Sequence, residues 1–442
     1  MNVIIRRVHR RFLSLVILGC AALCLLASLA YNLPPIHDRL AWRVDNLRVA
    51  IKRYFNPPEQ VVFTPQEQVE AIVQATLTAL APSAMPSPVP GITDTLSPSP
   101  VPSLIPTLIP ERVSLSGIRH EYQKFNNCAP TNLSMVLSYW GWQGDQFETR
   151  AYLRPSFEID DKNVNPFEIV DYVEKYTDFD AIWRVGGNLE LLKRLVAAGF
   201  PVLIEKGLDE DAWLGHYQTV SGYDNTANKF LVYDSYQGPP EAYGVSYETI
   251  AQFWRHFDYV YVVIFPPQRS GEVYSILGAQ SDPQTNFQSA ADLALAETAS
   301  LSGREQFFAW FNRGTDLVYL QDYAAAAQAF DSSFALYTTL PEKERPWRLL
   351  WYRDGPYNAY YHMGRYQDVI NLAHTTLLNV DKPVLEETYY WRGMAKEALG
   401  DRQGAIEDLQ RAYTLNPNST PAGEDLQRLQ ALGAKIQLQY FE

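Results

Sequence analysis

Cysteine is scarce in this chain, and the common metal-binding and nucleotide-binding patterns are missing. Of the three cysteines in 442 residues, Cys20 and Cys24 lie in an apolar N-terminal segment, so Cys128 stands alone in the rest of the chain. A lone cysteine cannot form an intramolecular disulfide, which excludes a disulfide-stapled fold. Without CxxC or HExxH the sequence predicts no metal site, and without GxxxxGK[ST] it predicts no ATP-binding domain. We therefore expect no cofactor.

The chain also lacks a basic surface pattern. Its formal net charge is −13, and no stripe of basic residues interleaved with aromatics is present. This balance argues against nucleic acid as a partner. In contrast, 47% of the residues are hydrophobic and 13% are aromatic, so there is ample material for packed cores. The length predicts two or three domains.

One long uncharged run stands at the N-terminus. The basic start MNVIIRRVHRR is followed by nineteen uncharged residues, 12–30, about the length of a bilayer-spanning helix. We interpret residues 1–31 as a single-pass membrane anchor with the rest of the chain outside the cytoplasm. Two alternatives are a signal peptide cleaved after Ala30 and a lipoprotein signal at Cys20.

Composition divides the next part of the chain. Residues 32–81 predict a short helical stalk, and residues 82–112 a proline-rich linker, with nine prolines among residues 82–110. Proline fixes φ and removes donors, so this segment is expected to be an extended spacer between anchor and body. Residues 113–267 alternate helical and strand patterns and predict an α+β domain. Residues 268–300 are polar, rich in serine and alanine, and predict a second linker.

Residues 301–442 are helical in pattern and internally repetitive. Two stretches beginning at Trp310 and Tyr389 are similar, and a degenerate copy lies between them. The matching positions are Gly314 with Gly393 and Ala326 with Ala405. These small residues suit the close approach of paired helices, and the region resembles three tetratricopeptide repeats followed by a capping helix. Such a solenoid implies a surface that binds a protein partner, although an inert helical domain is the alternative.

The stretch NNCAPTNLSMVLSYWGW, residues 126–142, predicts a helix that begins at Cys128. Asparagines precede it as caps, Pro130 suits the first turn, and Gly141 suits the end. Apolar residues at i, i+3, i+4 and i+7 predict one buried face. At a helix N-terminus the free amides and the dipole favour the thiolate, which is the nucleophilic form. Cys128 is therefore either a nucleophile or a small residue that fills the core.

A hairpin downstream supplies a possible base. HYQTVSGY and KFLVYDSY predict two strands joined by the turn DNTAN, with the apolar stretch 199–207 as a neighbouring strand. Centred near Asn225, this hairpin would place His216 about opposite Asp234, within reach of a hydrogen bond. A carboxylate there would orient the imidazole toward the thiol. Gln123 and the Cys128 backbone N–H would bind the developing oxyanion. His120 and His256 are interpreted as surface residues.

These motifs resemble the bacteriocin-processing, papain-like cysteine peptidase family and its stand-alone relatives. The order Gln123, Cys128, His216, Asp234 matches that group over residues 113–267. The resemblance implies Cys128 as nucleophile, His216 as general base and acid, Asp234 as its orienting partner and Gln123 in the oxyanion hole. It also implies hydrolysis of a peptide bond, often after small residues.

One position departs from the family pattern, because Ala129 stands where glycine is usual. Its methyl group is expected to crowd the backbone beside the oxyanion site. Two alternatives follow from the same residues: a peptide-binding module without turnover, and another acyl transfer through a thioester.

Overall fold

The computed structural model describes residues 109–155, 163–208, 213–378 and 384–439, together with isolated positions before residue 66. The predicted proline-rich stretch 82–108 and most of the stalk lie outside these residues. The predicted anchor, 12–30, is only partly among them, and its described positions are helical. In the part of the chain described, no helix is both long and apolar enough to cross a bilayer.

An antiparallel sheet forms the centre of the first domain. Counted over the described residues, the seven strands are β1 Arg112–Ser114, β2 Asp180–Arg184, β3 Val202–Leu208, β4 Leu214–Asp224, β5 Lys229–Tyr233, β6 Tyr243–Ser246 and β7 Tyr261–Phe265. Strand order is β2-β7-β3-β4-β5-β6, and β1 pairs with the end of β4 that extends beyond β3. The apolar stretches predicted as strands become β3 and β7 at the middle of the sheet.

Helices cover both faces of this sheet. They are α1 Cys128–Tyr139, α2 Gln146–Leu153, α3 Pro166–Tyr176, α4 Leu189–Ala197 and α5 Tyr247–Arg255. Alternating residues of β3 face two separate cores: Leu203 packs with helix α1 on one face, and Ile204 packs with α4 and α5 on the other. Burying each large apolar side chain stabilises the fold by about 1.5–3 kcal/mol.

The predicted hairpin is present as β4 and β5, with its turn at residues 225–228. Thr219 pairs with Tyr233, and the register shifts between Val220 and Gly222. This β-bulge inserts an extra residue into β4. Asp234 therefore lies just beyond the end of β5, nearer to Gln218 along the ladder than to His216.

The second domain is a series of antiparallel helix pairs. Gly314 lies where two helices touch, because a Cβ there would come 2.7 Å from the ring of Phe330. Gly393 is similarly close to Leu409. The three pairs and the last helix are α8 Gly303–Tyr319 with α9 Tyr323–Thr339, α10 Gly355–His362 with α11 Tyr366–Leu378, α12 Glu386–Ala398 with α13 Arg402–Leu415, and α14 Thr420–Gln439.

Residues 268–300 differ from the predicted linker. They form α6 Ser270–Leu277 and α7 Pro283–Ser300. In α7, Phe287 stacks on Tyr319 with ring centroids 4.3 Å apart, and the alanines at 290, 291 and 294 are buried beside it. This apolar stripe at helical spacing docks α7 against α8, so the segment is part of the folded body.

The two domains pack directly against each other. Trp213 stacks on Phe257 within the first domain and contacts Phe308 and Tyr352 of the second, with ring centroids 5.5 and 5.8 Å apart. Asn312 Nδ2 also donates to the backbone carbonyl of Arg255 at 2.7 Å. The junction is therefore an aromatic core with polar contacts beside it.

A residue far upstream also packs on the second domain. Phe63 is 7% exposed, and its ring meets that of Phe334 edge-on at 5.2 Å. It shares this aromatic cluster with Phe307 and Phe311 of α8. The chain therefore contacts the helical domain before the proline-rich segment begins.

Candidate active site

Cys128 is the first residue of α1 and is half-buried. The left-handed backbone at Asn126 (φ 52°) turns the chain into the helix, and Gly141 (φ 92°) leads out of it. The following residue, Ala129, is only 2% exposed and packs among Leu133 and Val136. Its methyl group therefore fills core space, and the crowding expected beside the oxyanion site stays a prediction.

The structure brings His216 and Asp234 into contact. His216 Nε2 lies 3.0 Å from Asp234 Oδ1, and both side chains are almost fully buried. The imidazole is also hydrogen-bonded to the Cys128 thiol. A continuous chain of thiol, imidazole and carboxylate therefore runs from α1 to the end of β5.

The electrostatics of this chain favour an ion pair. Burial alone would lower the pKa of His216, but the charge and hydrogen bond of Asp234 outweigh it and raise that pKa to about 9. Burial would raise the pKa of Cys128, but contact with His216 and a hydrogen bond from the Tyr217 backbone lower it overall. Both shifts act in the same sense and favour the thiolate–imidazolium pair over the neutral thiol and imidazole.

Asp234 is held by more partners than the sequence indicated. Its Oδ1 accepts from the backbone amides of Tyr236 and Gln237 at 2.8 and 2.9 Å, and its Oδ2 accepts from Gln218 Nε2 at 2.7 Å. Burial is opposed by these bonds and by His216, so the pKa of Asp234 lies well below its usual value. Gln218 was missed, although it lies two residues from His216 on the same face of β4.

Gln123 belongs to a buried polar network. Asn132 Nδ2 donates to Ser235 Oγ at 2.9 Å, and Ser235 Oγ donates to Gln123 Oε1 at 2.8 Å. Thr219 Oγ1 donates to Asn132 Oδ1 at 2.9 Å, which fixes the direction of this chain of bonds. Because the amide oxygen of Gln123 is occupied, its Nε2 is the atom left to bind another acceptor.

Two parts of the chain match known protein families. Residues 115–262 match the Peptidase_C39 like family, and residues 386–419 match the tetratricopeptide repeat. The chain matches a C39-like peptidase domain fused to tetratricopeptide repeats. A solved structure described as a C39-like peptidase from Bacillus anthracis is 21% identical, covers 35% of this chain and 96% of its own, and has a TM-score of 0.30. No curated protein matches the chain.

Of the two other histidines of the C39-like domain, both expected at the surface, His120 is partly exposed and His256 is buried. His120 Nε2 lies 3.0 Å from the backbone carbonyl of Asp234, and its ring meets Tyr122 edge-on. His256 is fully buried where the repeats dock, with Nδ1 accepting from Trp213 Nε1 at 2.9 Å and Nε2 beside Glu305. His120 supports the loop of Asp234, and His256 belongs to the domain junction.

Proposed function

We propose that this protein is a cysteine peptidase that hydrolyses peptide bonds through Cys128, His216 and Asp234. The observation that carries the proposal is the buried chain of hydrogen bonds from the thiol through the imidazole to the carboxylate. The family match over residues 115–262 supports a peptidase in general terms. The residue roles rest on the geometry.

In the proposed mechanism each reacting group has a defined role. The Cys128 thiolate attacks the scissile carbonyl, and its carbon–sulfur bond forms as the carbonyl oxygen becomes negative. The Cys128 backbone N–H and Gln123 Nε2 stabilise that oxygen. His216 then gives its proton to the departing amine, leaving a thioester. A water molecule, deprotonated by His216, then attacks the thioester. The carbon–sulfur bond breaks, the carboxylic acid product leaves, and the Cys128 thiolate is restored beside the His216 imidazolium.

The remaining parts of the proposal concern placement and partners. We propose that residues 12–30 anchor the protein in a membrane, with the folded domains outside the cytoplasm and the repeats available to a protein partner. The uncharged run supports the first statement and the repeat match the second. Extraction of the full chain by sodium carbonate, rather than by detergent alone, would contradict the anchor.

The test of catalysis compares the full chain with Cys128→Ala and His216→Asn on a library of quenched fluorescent peptides. We expect hydrolysis by the natural chain and a loss of at least about 10³-fold in kcat/KM for either variant. Thermal unfolding provides the control for folding. Binding of peptides without hydrolysis by the natural chain would instead establish a peptide-binding module.

A further inference from the structure

A cavity of about 340 Å³ lies between the C39-like domain and the repeats. Its volume falls in the range of small-molecule pockets, about 300–1,000 Å³. Phe167 and Tyr319 line it and are 45% and 46% exposed, so it opens to solvent. Both domains contribute to its wall, which includes Glu205, Asp258, Tyr352, Arg353 and Asp354.

Two carboxyl groups in the cavity wall are buried without full hydrogen bonding. Glu205 is 4% exposed, and Asp258 is 3% exposed. Among the described residues, Glu205 Oε1 has no hydrogen-bond partner, and Asp258 shares a hydrogen bond with a second buried carboxyl group, that of Asp316. A buried acceptor left unpaired costs free energy, so Glu205 Oε1 requires an explanation. Because Glu205 and Asp258 both line the cavity, a cationic group in that space would pair with them.

The cavity has an excess of acidic groups. Three carboxyl side chains, those of Glu205, Asp258 and Asp354, line it together with one guanidinium, that of Arg353. Arg353 is already engaged, since its Nη1 donates to Asn312 Oδ1 at 2.6 Å. Burial raises the pKa of Glu205 to about 8 and that of Asp258 to about 7, and the charge of Arg353 offsets the rise only in part. A cation entering this space would favour the ionised carboxylates and pair with them.

Two residues of the cavity wall, Glu205 and Tyr352, lie beside the strand that carries the proposed base. Glu205 lies opposite Tyr217 in the β3–β4 ladder, next to His216. The charge of Cys128 acts on Glu205 and on Tyr352, so both lie within electrostatic range of the thiol. Tyr352 comes from the repeat domain, and a Cβ on Gly215 would meet its ring at 2.8 Å. The repeat domain therefore builds one wall of the space beside the site.

We propose that this cavity binds a lysine or arginine side chain of the peptide substrate near the scissile bond. The inference rests on the proposed function and adds the class of side chain that is selected. Glu205 and Asp258 pair with the cationic group, and Tyr352 supplies an aromatic wall along its path. The repeats thus contribute to substrate recognition within the site itself, in addition to any protein partner they bind elsewhere.

The first experiment uses peptide pairs that differ only in lysine or norleucine, scanned through positions on both sides of the cleaved bond. With the full chain, we expect lysine to raise kcat/KM by about tenfold or more at one position. In Glu205→Gln/Asp258→Asn the ratio should fall to about one, and in Glu190→Gln, an exposed control, it should be unchanged. Hydrolysis without a lysine preference at any position would overturn the inference and leave the peptidase proposal intact.

A second experiment does not depend on hydrolysis. The alkylation rate of Cys128 by iodoacetamide is measured with n-butylammonium chloride, with n-butanol, or with sodium chloride at matched ionic strength. We expect saturable slowing by n-butylammonium only, and its loss in the double variant. Equal rates in the three solutions would overturn the inference even if the chain proves to be inactive. Thermal unfolding of the double variant and of Glu205→Gln alone checks that the fold is kept.

Discussion

Asp234→Asn is the substitution that most directly tests the electrostatics of the site. It keeps the size of the side chain and one oxygen to accept the amides of Tyr236 and Gln237. It removes the negative charge that holds His216 protonated. Burial of the imidazole is then opposed mainly by Cys128, so the pKa of His216 should fall from about 9 to its ordinary value of 6.5 or below.

The size of the effect follows from that change. A rise from 6.5 to about 9 corresponds to about 3 kcal/mol in favour of the imidazolium. Because the pKa is raised, the imidazolium persists up to about pH 9 and is lost above it. In Asp234→Asn the imidazolium should be lost near pH 6.5, and the thiol should ionise only near the ordinary thiol pKa of about 8.5. The thiolate fraction at pH 6–7 should therefore drop by between about thirtyfold and about three-hundredfold.

The assay is the alkylation rate of Cys128 by iodoacetamide between pH 5 and 10, followed by mass spectrometry of the Cys128 peptide. This readout separates Cys128 from Cys20 and Cys24 and needs no known substrate. The natural chain should react well below pH 8.5, and the variant should require pH near 8.5. Asp171→Asn is the matched control, because the Asp171 side chain is about half exposed and forms a surface ion pair with Lys175. Superimposable pH profiles for the natural chain and Asp234→Asn would refute the reasoning.

Two further predictions concern the oxyanion group and the repeats. Gln123→Ala should lower kcat by about 10²–10³-fold with little change in KM. Ser235→Ala should lower kcat less, because the Ser235 hydroxyl only orients the Gln123 amide. An unchanged kcat in Gln123→Ala would exclude Gln123 as an oxyanion donor. Gly314→Ala should destabilise the chain by about 1–3 kcal/mol in thermal unfolding, because its Cβ would meet Phe330, whereas Gly271→Ala in α6, with open space around it, should be neutral or stabilising.

Local patterns predicted the elements of the site better than their pairing. The helix at Cys128 followed from helical spacing, and the hairpin followed from two strands and a turn. The bulge after Val220 had no clear local signal, so the expected opposition of His216 and Asp234 was displaced toward Gln218. The two groups still meet because a carboxylate beyond the strand end reaches diagonally across the ladder.

Two sets of contacts distant in sequence were not predicted. The bonds joining Asn132, Ser235 and Gln123 connect α1, the end of β5 and the loop before the helix. His256 is buried where Phe308 of the repeats stacks on its ring, and no local pattern signals that packing. Helix α7 is a different case: Phe287 and its alanines recur at helical spacing, but the polar composition of residues 268–300 favoured a linker.

Phe63 changes what the proline-rich segment does. Residue 63 packs on the repeats, and the chain enters the C39-like domain at residue 109. Both ends of residues 64–108 are therefore attached to the same pair of packed domains. A segment closed in this way adds nothing to the distance between a membrane and the active site. With residues 12–30 in a bilayer, the distance from the membrane to Phe63 is limited by residues 31–62, at most about 3.3–3.6 Å for each, and the folded body sets the remaining distance to the active site. Lengthening the proline run would enlarge a loop, and lengthening the stalk would move the site outward.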